Sequence, residues 1–195
     1  MASTTEAEAM PLIVLIGGAR SGKSGYAVDL AQRVGGPVTF VATAPVLDGD
    51  MSQRVARHRE ERPAGWDTLE EEIELVRALG GVPDGHTIIV DCLTLWTSNM
   101  MWKDHAESAI LAAAESASEL AAERDGTVLV ITNEVGLGIH PESELGRTYR
   151  DTLGRVNQAF ARRADATLLM VAGRALRLSD PDELLEDLQL DVDLP

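Results

Sequence analysis

Five short apolar runs, mostly of β-branched residues, recur along this 195-residue chain, and the segments between them are longer and rich in Ala, Leu and Arg. A strand that is apolar at nearly every position is buried on both faces, and strands separated by helices pair in parallel. The pattern therefore predicts an α/β fold of three layers, with helices on both faces of a mostly parallel sheet. Ligands of such sheets bind at the carboxyl ends of the strands. The runs are Leu12–Ile16, Val38–Ala42, Thr87–Val90, Thr127–Thr132 and Ala166–Val171.

The first run is followed by Gly17-Gly-Ala-Arg-Ser-Gly-Lys-Ser24, a full match to G-x-x-x-x-G-K-[ST] between a strand and a helix. The backbone N–H groups of such a loop wrap a phosphate chain, and the helix that follows directs its positive end towards it. We expect Lys23 to contact the β and γ phosphates of a nucleotide. We expect Ser24 to hold Mg²⁺ with Asp91, the acid that closes the third run, although an Asp here could instead cap the next helix.

Composition excludes several other classes of protein. The net charge of −15 argues against generic binding to nucleic acid or to an anionic membrane. No apolar run approaches the roughly 18 residues of a membrane-spanning helix. The single cysteine, Cys92, cannot form an internal disulfide, which favours a reducing cytoplasm. We expect residues 1–10, which are small and polar, to be a disordered leader and residues 179–195 to be an acidic tail, so the domain is expected within 11–178.

The segments between the apolar runs predict helices. The alanine-rich segment Asp104–Arg124 begins with a possible capping pair, Asp104 and Glu107. The other predicted helices run from the glycine-rich loop to about Val34, over about residues 50–61, over Glu70–Leu79 and over Glu142–Arg163.

His58 lies within an arginine-rich segment, Arg54-Val-Ala-Arg-His-Arg-Glu-Glu-Arg-Pro63. In helical register Arg54, His58 and Arg62 share one face. Neighbouring positive charge favours a neutral, nucleophilic imidazole, and the arginines can clamp phosphates. The alternative is a solvated helix face that carries a bystander histidine. His86, His105 and His140 have no metal-ligand spacing with His58 or with Cys92, so a structural zinc site is not expected.

Six segments, taken in order, resemble the bifunctional adenosylcobinamide kinase / adenosylcobinamide-phosphate guanylyltransferase family of cobalamin biosynthesis. The resemblance extends over about residues 12–173. The segments are Gly17–Ser24, Val41-Ala-Thr-Ala44, Arg54–Pro63 with Trp66, Asp91-Cys-Leu-Thr94 with Asn99, Thr132-Asn-Glu-Val-Gly-Leu-Gly138 and Gly154-Arg-Val-Asn-Gln158.

The resemblance implies a RecA-like P-loop NTPase fold, a homotrimer and two reactions on one corrinoid. In the first, ATP or GTP phosphorylates adenosylcobinamide. In the second, GTP transfers GMP to adenosylcobinamide phosphate through a GMP-histidine intermediate, giving adenosylcobinamide-GDP. The only histidine in the matching segment is His58. Two readings of another class stay open: a P-loop kinase with a single activity, and a nucleotide-switched regulatory module.

The resemblance also implies a set of nucleotide contacts. They are Ala42, Thr43, Ala44, Arg59, Glu60, Glu61, Arg62, Glu70 and Asp91, in addition to the loop residues Gly17, Gly18, Ala19, Arg20, Ser21, Gly22, Lys23 and Ser24.

Several of these roles have alternatives. Glu70 could equally serve the N-terminus of a helix. Glu134, after a buried strand, could orient or deprotonate the corrinoid hydroxyl, or could bond to the next loop. Trp96 and Trp102 could line a corrinoid or trimer surface, although core packing is the more ordinary role. Relatives tend to close with Gly-x-Pro-x-x-x-Lys, whereas this chain has Gly173-Arg-Ala-Leu-Arg177.

Overall fold

A seven-stranded sheet lies at the centre of the computed structural model, which describes residues 11–44, 63 and 65–187. The strands are β1 (Leu12–Gly17), β2 (Val38–Ala42), β3 (Asp67–Glu70), β4 (Thr87–Asp91), β5 (Val128–Asn133), β6 (Ala166–Val171) and β7 (Arg174–Leu178). Their order in the sheet is β3-β2-β4-β5-β1-β6-β7. Every neighbouring pair is parallel except β6 and β7, which are antiparallel.

Helices cover both faces of the sheet, because the strands alternate side chains between two apolar clusters. The helices in the described ranges are α1 (Lys23–Val34), α2 (Leu75–Gly81), α3 (Leu93–Trp102), α4 (Glu107–Glu123), α5 (Glu144–Ala161) and α6 (Pro181–Asp187). Leu15 points to the face covered by α1, whereas Val14 and Ile16 belong to the cluster that α2, α3, α4 and α5 cover.

The arrangement confirms the predicted fold class, a three-layer α/β protein with a mostly parallel sheet and a RecA-like P-loop topology. The strand before the glycine-rich loop, β1, and the strand that ends at Asp91, β4, are separated by β5. All three strands therefore end at one edge of the sheet, where the loop also lies. Within the described part of the chain, no helix has the length and apolarity needed to cross a membrane.

The helix predicted over Glu70–Leu79 is wrong in its first half. Glu70 closes strand β3, which pairs with β2, and helix α2 begins only at Leu75. Between them, Glu71 Oε1 accepts the backbone N–H groups of Ile73 at 3.0 Å and of Glu74 at 2.9 Å. This turn, together with the pairing to β2, outweighs the local helical preference of the acidic run. The suggested helix N-terminal role of Glu70 is therefore wrong.

The helix predicted over Asp104–Arg124 begins later than expected. Asp104 has φ of 59°, in the left-handed region, and α4 starts at Glu107 after the N-cap Ala106, which provides no side-chain cap. Glu107 instead accepts a hydrogen bond from Thr152 and pairs with Arg155 on α5. The proposed capping pair is wrong, because the carboxylate serves a tertiary contact. The preceding helix α3, which the sequence did not predict, ends at Trp102.

Two further elements were not predicted, and both lie near the C-terminus. Edge strand β7 is exposed at every residue, so its sequence carries no buried apolar pattern. Helix α6 lies in the segment that the sequence presents as an acidic tail. The predicted leader over 1–10, the helix over about 50–61 and the end of the tail after residue 187 lie outside the described residues.

Candidate functional site

The glycine-rich loop follows β1 directly, and two of its glycines are required by their surroundings. Gly17 has φ of 153°, and a Cβ at this position would overlap the carbonyl oxygen of Met170 on β6. Gly22 has φ of 100° and is the N-cap of α1. Only glycine adopts these conformations without strain. The chain thus turns sharply from a buried strand into a helix whose N-terminus faces the loop, the geometry of an anion site.

Lys23 is folded back onto the loop that carries it. Its side chain is only 6% exposed, and Nζ donates to Gly17 O at 3.0 Å, to Gly18 O at 2.7 Å and to Ser21 Oγ at 3.3 Å. Burial lowers the pKa of Lys23, while Cys92 and Asp91 act in the opposite direction. The ammonium group is therefore held at the centre of the loop, at the position from which a P-loop lysine reaches phosphate oxygens.

Three of the predicted nucleotide contacts lie side by side at the carboxyl ends of neighbouring strands. Ala42 ends β2 and is paired with Glu70 of β3 on one side and with Asp91 of β4 on the other. The backbone N–H of Thr43 donates to Asp91 O at 3.0 Å, which continues the pairing beyond β2. Glu70 and Asp91 are therefore brought beside Ala42 and Thr43, although the three segments are far apart in sequence.

Asn99 of α3 holds the segment after β2 in place. Its Nδ2 donates to Thr43 O at 2.8 Å and to Glu72 O at 3.2 Å. Thr43 Oγ1 both accepts from Cys92 N and donates to Cys92 O, at 2.7 Å each. Buried polar groups that are fully satisfied in this way fix the backbone around them. The sequence marked Asn99 only as part of a motif, and its structural role follows from these contacts.

Asp91 and Ser24 provide the oxygen donors that Mg²⁺ prefers. Ser24 is the second residue of α1, directly after Lys23. The charge of Asp91 partly opposes the lowering of the Lys23 pKa by burial, so the carboxylate is close enough to the loop to interact with its charge. Asp91 already has an interaction with its surroundings in the protein. A carboxylate and a hydroxyl that border a phosphate loop fit a magnesium ion bound together with nucleotide phosphates.

Glu134 lies beside the first glycine of the loop. Its backbone N–H donates to Gly17 O at 3.2 Å, and β5 pairs Asn133 with Gly17. The carboxylate Oε1 accepts the N–H of Gly136 in the next turn, the local bond that the sequence analysis left open as an alternative. The position of Glu134 at the loop is thus fixed by the main chain, whereas its side chain also serves the turn that follows.

Two of the sequence motifs meet at the end of β5. Thr132 Oγ1 donates to Asn157 Oδ1 at 2.7 Å, and Asn157 Nδ2 donates to Asn133 O at 3.1 Å. Asn157 is buried, so these bonds are shielded from water. The Gly154-Arg-Val-Asn-Gln158 motif therefore positions the Thr132-Asn-Glu segment. Nothing in the sequence showed that α5 would supply this support, because Thr132 and Asn157 are 25 residues apart.

The two tryptophans of α3 have opposite environments. Trp96 is fully buried and its Nε1 donates to Ile73 O at 2.7 Å, so it is a core residue. Trp102 is 81% exposed and lines a groove of about 510 Å³ between the end of α3 and the start of α5. On the other side of this groove, Tyr149 donates its hydroxyl to Thr94 O at 3.1 Å. The Oγ1 of Thr94 accepts the N–H of Asn133 at 2.9 Å, which joins the groove wall to the end of β5.

The segment that contains His58, Arg59, Glu60, Glu61 and Arg62 lies outside the described residues, as does Arg54. Among the described residues, no group of three or more His, Cys, Asp or Glu side chains forms a metal cluster. Ala44 is described and follows Thr43 at the end of β2.

The fold and the loop geometry define a P-loop protein. The family described as cobinamide kinase / cobinamide phosphate guanyltransferase matches residues 13–178, and the chain belongs to that family.

Curated relatives agree with this assignment. The chain is 40% identical to the bifunctional adenosylcobalamin biosynthesis protein CobP of Pseudomonas aeruginosa, over 85% of this chain and 95% of the relative. It is 34% identical to the bifunctional adenosylcobalamin biosynthesis protein CobU of Escherichia coli, over 86% of this chain and 99% of the relative. Among solved structures, the match to the flagellar accessory protein FlaH from Methanocaldococcus jannaschii covers 87% of this chain and 80% of the FlaH chain, with 15% sequence identity and a TM-score of 0.47.

Proposed function

We propose that this protein catalyses two consecutive reactions on one corrinoid. It phosphorylates adenosylcobinamide with ATP or GTP, and it then transfers GMP from GTP to adenosylcobinamide phosphate. The observation that carries the proposal is family membership over residues 13–178 together with a loop that buries Lys23. The charge of Asp91 acts on Lys23, and the main chain of Glu134 is bonded to Gly17 of the same loop.

In the kinase step, the corrinoid hydroxyl oxygen attacks the γ phosphorus and the bond to the β-phosphate oxygen breaks. Lys23 exchanges its bonds to the carbonyl oxygens of Gly17 and Gly18 for bonds to phosphate oxygens, where its charge offsets the charge that develops on the leaving group. Glu134, fixed by its main chain beside Gly17, orients the hydroxyl and accepts its proton. Its Oε1 has to exchange the bond to Gly136 for the substrate, or Oε2 takes this role.

In the transfer step, the imidazole of His58 attacks the α phosphorus of GTP and pyrophosphate leaves. A phosphate oxygen of adenosylcobinamide phosphate then displaces the imidazole, giving adenosylcobinamide-GDP and free histidine. The assignment of His58 rests on the family resemblance and on its being the single histidine in the matching segment. Arg59, Glu60, Glu61 and Arg62 are proposed to hold the nucleotide during this step, together with Ala42, Thr43, Ala44, Glu70 and Asp91.

Mg²⁺ is proposed as the metal, held by Ser24 and Asp91, and it would neutralise phosphate charge when bound. A homotrimer is proposed from the family resemblance. A cytoplasmic location is proposed because ATP and GTP are supplied there. Binding to nucleic acid is not proposed for a chain of net charge −15.

The groove beside Trp102 is proposed to receive the corrinoid ring. It is lined in part by apolar side chains, Met101, Trp102 and Leu145, and Leu145 is largely exposed. Its wall is tied to the end of β5 through Tyr149 and Thr94. Glu134, the residue that follows Asn133, comes directly after the strand end to which this wall is tied.

His58→Ala tests the proposal, because a nucleophile is needed for GMP transfer but not for direct phosphorylation of a hydroxyl. We expect loss of acid-labile, alkali-stable labelling from GTP that carries phosphorus-32 at the α position, while adenosylcobinamide phosphate still forms. His105→Ala is the matched control, since His105 is an exposed histidine after α3.

Each alternative gives a different result. A single-activity kinase shows no stable label in the wild-type protein. A regulatory module hydrolyses nucleotide without any dependence on corrinoid. Undiminished labelling of His58→Ala would place the nucleophile at another residue.

A further inference from the structure

The hairpin between β6 and β7 lies level with the phosphate loop. Met170 of β6 pairs with Gly17, so the chain beyond Met170 extends past the edge of the sheet beside the loop. Ala172 and Gly173 form the turn with φ of 50° and 72°, and Val171 pairs with Arg174 across it. Two consecutive left-handed residues are typical of a tight type I′ hairpin turn. The turn therefore has a defined shape and presents Arg174 at its end.

The hairpin turn is in direct contact with the loop. The N–H of Gly173 donates to Ser21 O at 2.9 Å. A Cβ on Gly22 would lie 3.3 Å from the Cα of Gly173, so the two backbones are closely packed. Because the turn is bonded to the loop itself, the first residue of β7 is held next to the loop. This contact was not evident from the sequence, where the two segments are about 150 residues apart.

The positive charge of Arg174 is not paired with any residue in the described ranges. Its side chain is exposed and forms no hydrogen bond or ion pair with another described residue. Around the loop, Asp91 and Glu134 contribute negative charge, and Lys23 and the exposed Arg20 of the loop contribute positive charge. A polyphosphate bound in so acidic a chain needs further local positive charge. A guanidinium group offers several N–H donors in a planar fork that suits phosphate oxygens.

We infer that Arg174 binds the polyphosphate held in the loop. This polyphosphate is the β and γ phosphates of the nucleoside triphosphate in both reactions and the pyrophosphate that leaves after GMP transfer. The inference rests on the proposed function for these two reactions, but the binding itself needs no corrinoid. Arg174 thus adds a further cation to the loop that carries Lys23 and Arg20, supplied from the opposite end of the chain.

The test compares binding of inorganic pyrophosphate, GTP and GMP, each with Mg²⁺ and without corrinoid, by titration calorimetry. Loss of one charge-assisted contact predicts that Arg174→Ala binds pyrophosphate and GTP about tenfold more weakly. Arg174→Lys should recover part of the affinity, since it keeps the charge but loses the fork. GMP affinity should not change. Arg177→Ala is the matched control, because Arg177 lies on the same strand and contacts Asp165 O instead.

The outcomes separate this inference from the proposed function. Wild-type affinity for pyrophosphate and GTP in folded Arg174→Ala would overturn the inference and leave the proposed function intact. An equal loss for GMP would also overturn it, because the contact would then lie at the nucleoside end. Failure of the wild-type protein to bind any of these ligands would overturn both. Circular dichroism and melting curves establish that each variant is folded.

Discussion

Replacing Lys23 by methionine removes the charge at the centre of the loop and keeps most of the side-chain volume. In the unliganded protein the change has opposing effects. It removes the desolvation cost of burying a charged group, the cost that lowers the pKa of Lys23, but it leaves Gly17 O and Gly18 O without their donor. A buried acceptor left without its donor costs about 1–3 kcal/mol. Because the relieved desolvation of the ammonium group offsets part of this cost, we expect the free energy of unfolding to fall by only about 1 kcal/mol.

The effect on ligand binding should be much larger. Two charge-assisted contacts to phosphate at about 1.5 kcal/mol each correspond to a more than 100-fold loss of affinity. At a GTP concentration of 100 Kd, the wild-type protein gains about 2.7 kcal/mol of stability. In a chain of this length 1 kcal/mol shifts Tm by about 2–4 °C, so GTP should raise Tm by about 5–11 °C. At the same concentration the variant gains about 0.4 kcal/mol and shifts by about 1 °C.

Differential scanning fluorimetry with and without GTP and Mg²⁺ measures both quantities. Lys23→Arg is the control, because it keeps the charge with a different shape. A GTP-dependent shift in Lys23→Met as large as that of the wild-type protein would refute the assignment of the loop as the nucleotide site. A large loss of Tm without ligand would show that Lys23 serves the fold more than the ligand.

Three further changes test the geometry elsewhere. Gly17→Ala should lower the free energy of unfolding by about 3 kcal/mol or more, because its Cβ would overlap Met170 O. Gly18→Ala is the control: a Cβ there would have no atom within 4 Å, so Tm should change by less than about 2 °C. Equal melting curves for the two variants would contradict this prediction. Burial raises the pKa of Cys92 to about 11, so its alkylation by iodoacetamide at pH 8 should be at least about 100-fold slower in the folded protein than in urea. The free energy of unfolding should also fall between pH 9 and 11, because the unfolded chain loses its thiol proton at lower pH than the folded protein does. Cys92→Ala should not show this fall. Trp102→Ala should raise the KM for adenosylcobinamide several-fold without changing that for ATP; an altered oligomeric state with normal kinetics would instead assign Trp102 to a subunit contact.

The phosphate loop is the part of the site that could be predicted residue by residue. Its glycines, Lys23 and Ser24 act through the backbone they belong to, and the motif lies between a strand and a helix that the local pattern already indicates. It was also predictable that Asp91 and Glu134 lie at the same edge of the sheet, because the carboxyl ends of parallel strands meet at a common edge. The order of the strands was not, since nothing local states that β5 lies between β1 and β4.

The residues that support the site were the ones sequence reasoning could not assign. Asn157 and Asn99 each satisfy backbone groups from distant segments, and such pairings appear only when the chain is folded. The same applies to the contact of Gly173 with Ser21.

Local sequence determined the apolar strands, the phosphate loop and the helix that follows it, because each depends on residues within a few positions of one another. Tertiary structure decided the conformation of segments whose local preference for helix or strand was weak or was overruled by distant contacts. Asp67–Glu70 is a strand because β2 offers it a partner, α4 begins at Glu107 because its carboxylate bonds to α5, and β7 exists because a tight turn brings it against β6. The physical reason is the same in each case: hydrogen bonds between distant segments contribute more than the small conformational preferences of the residues that form them.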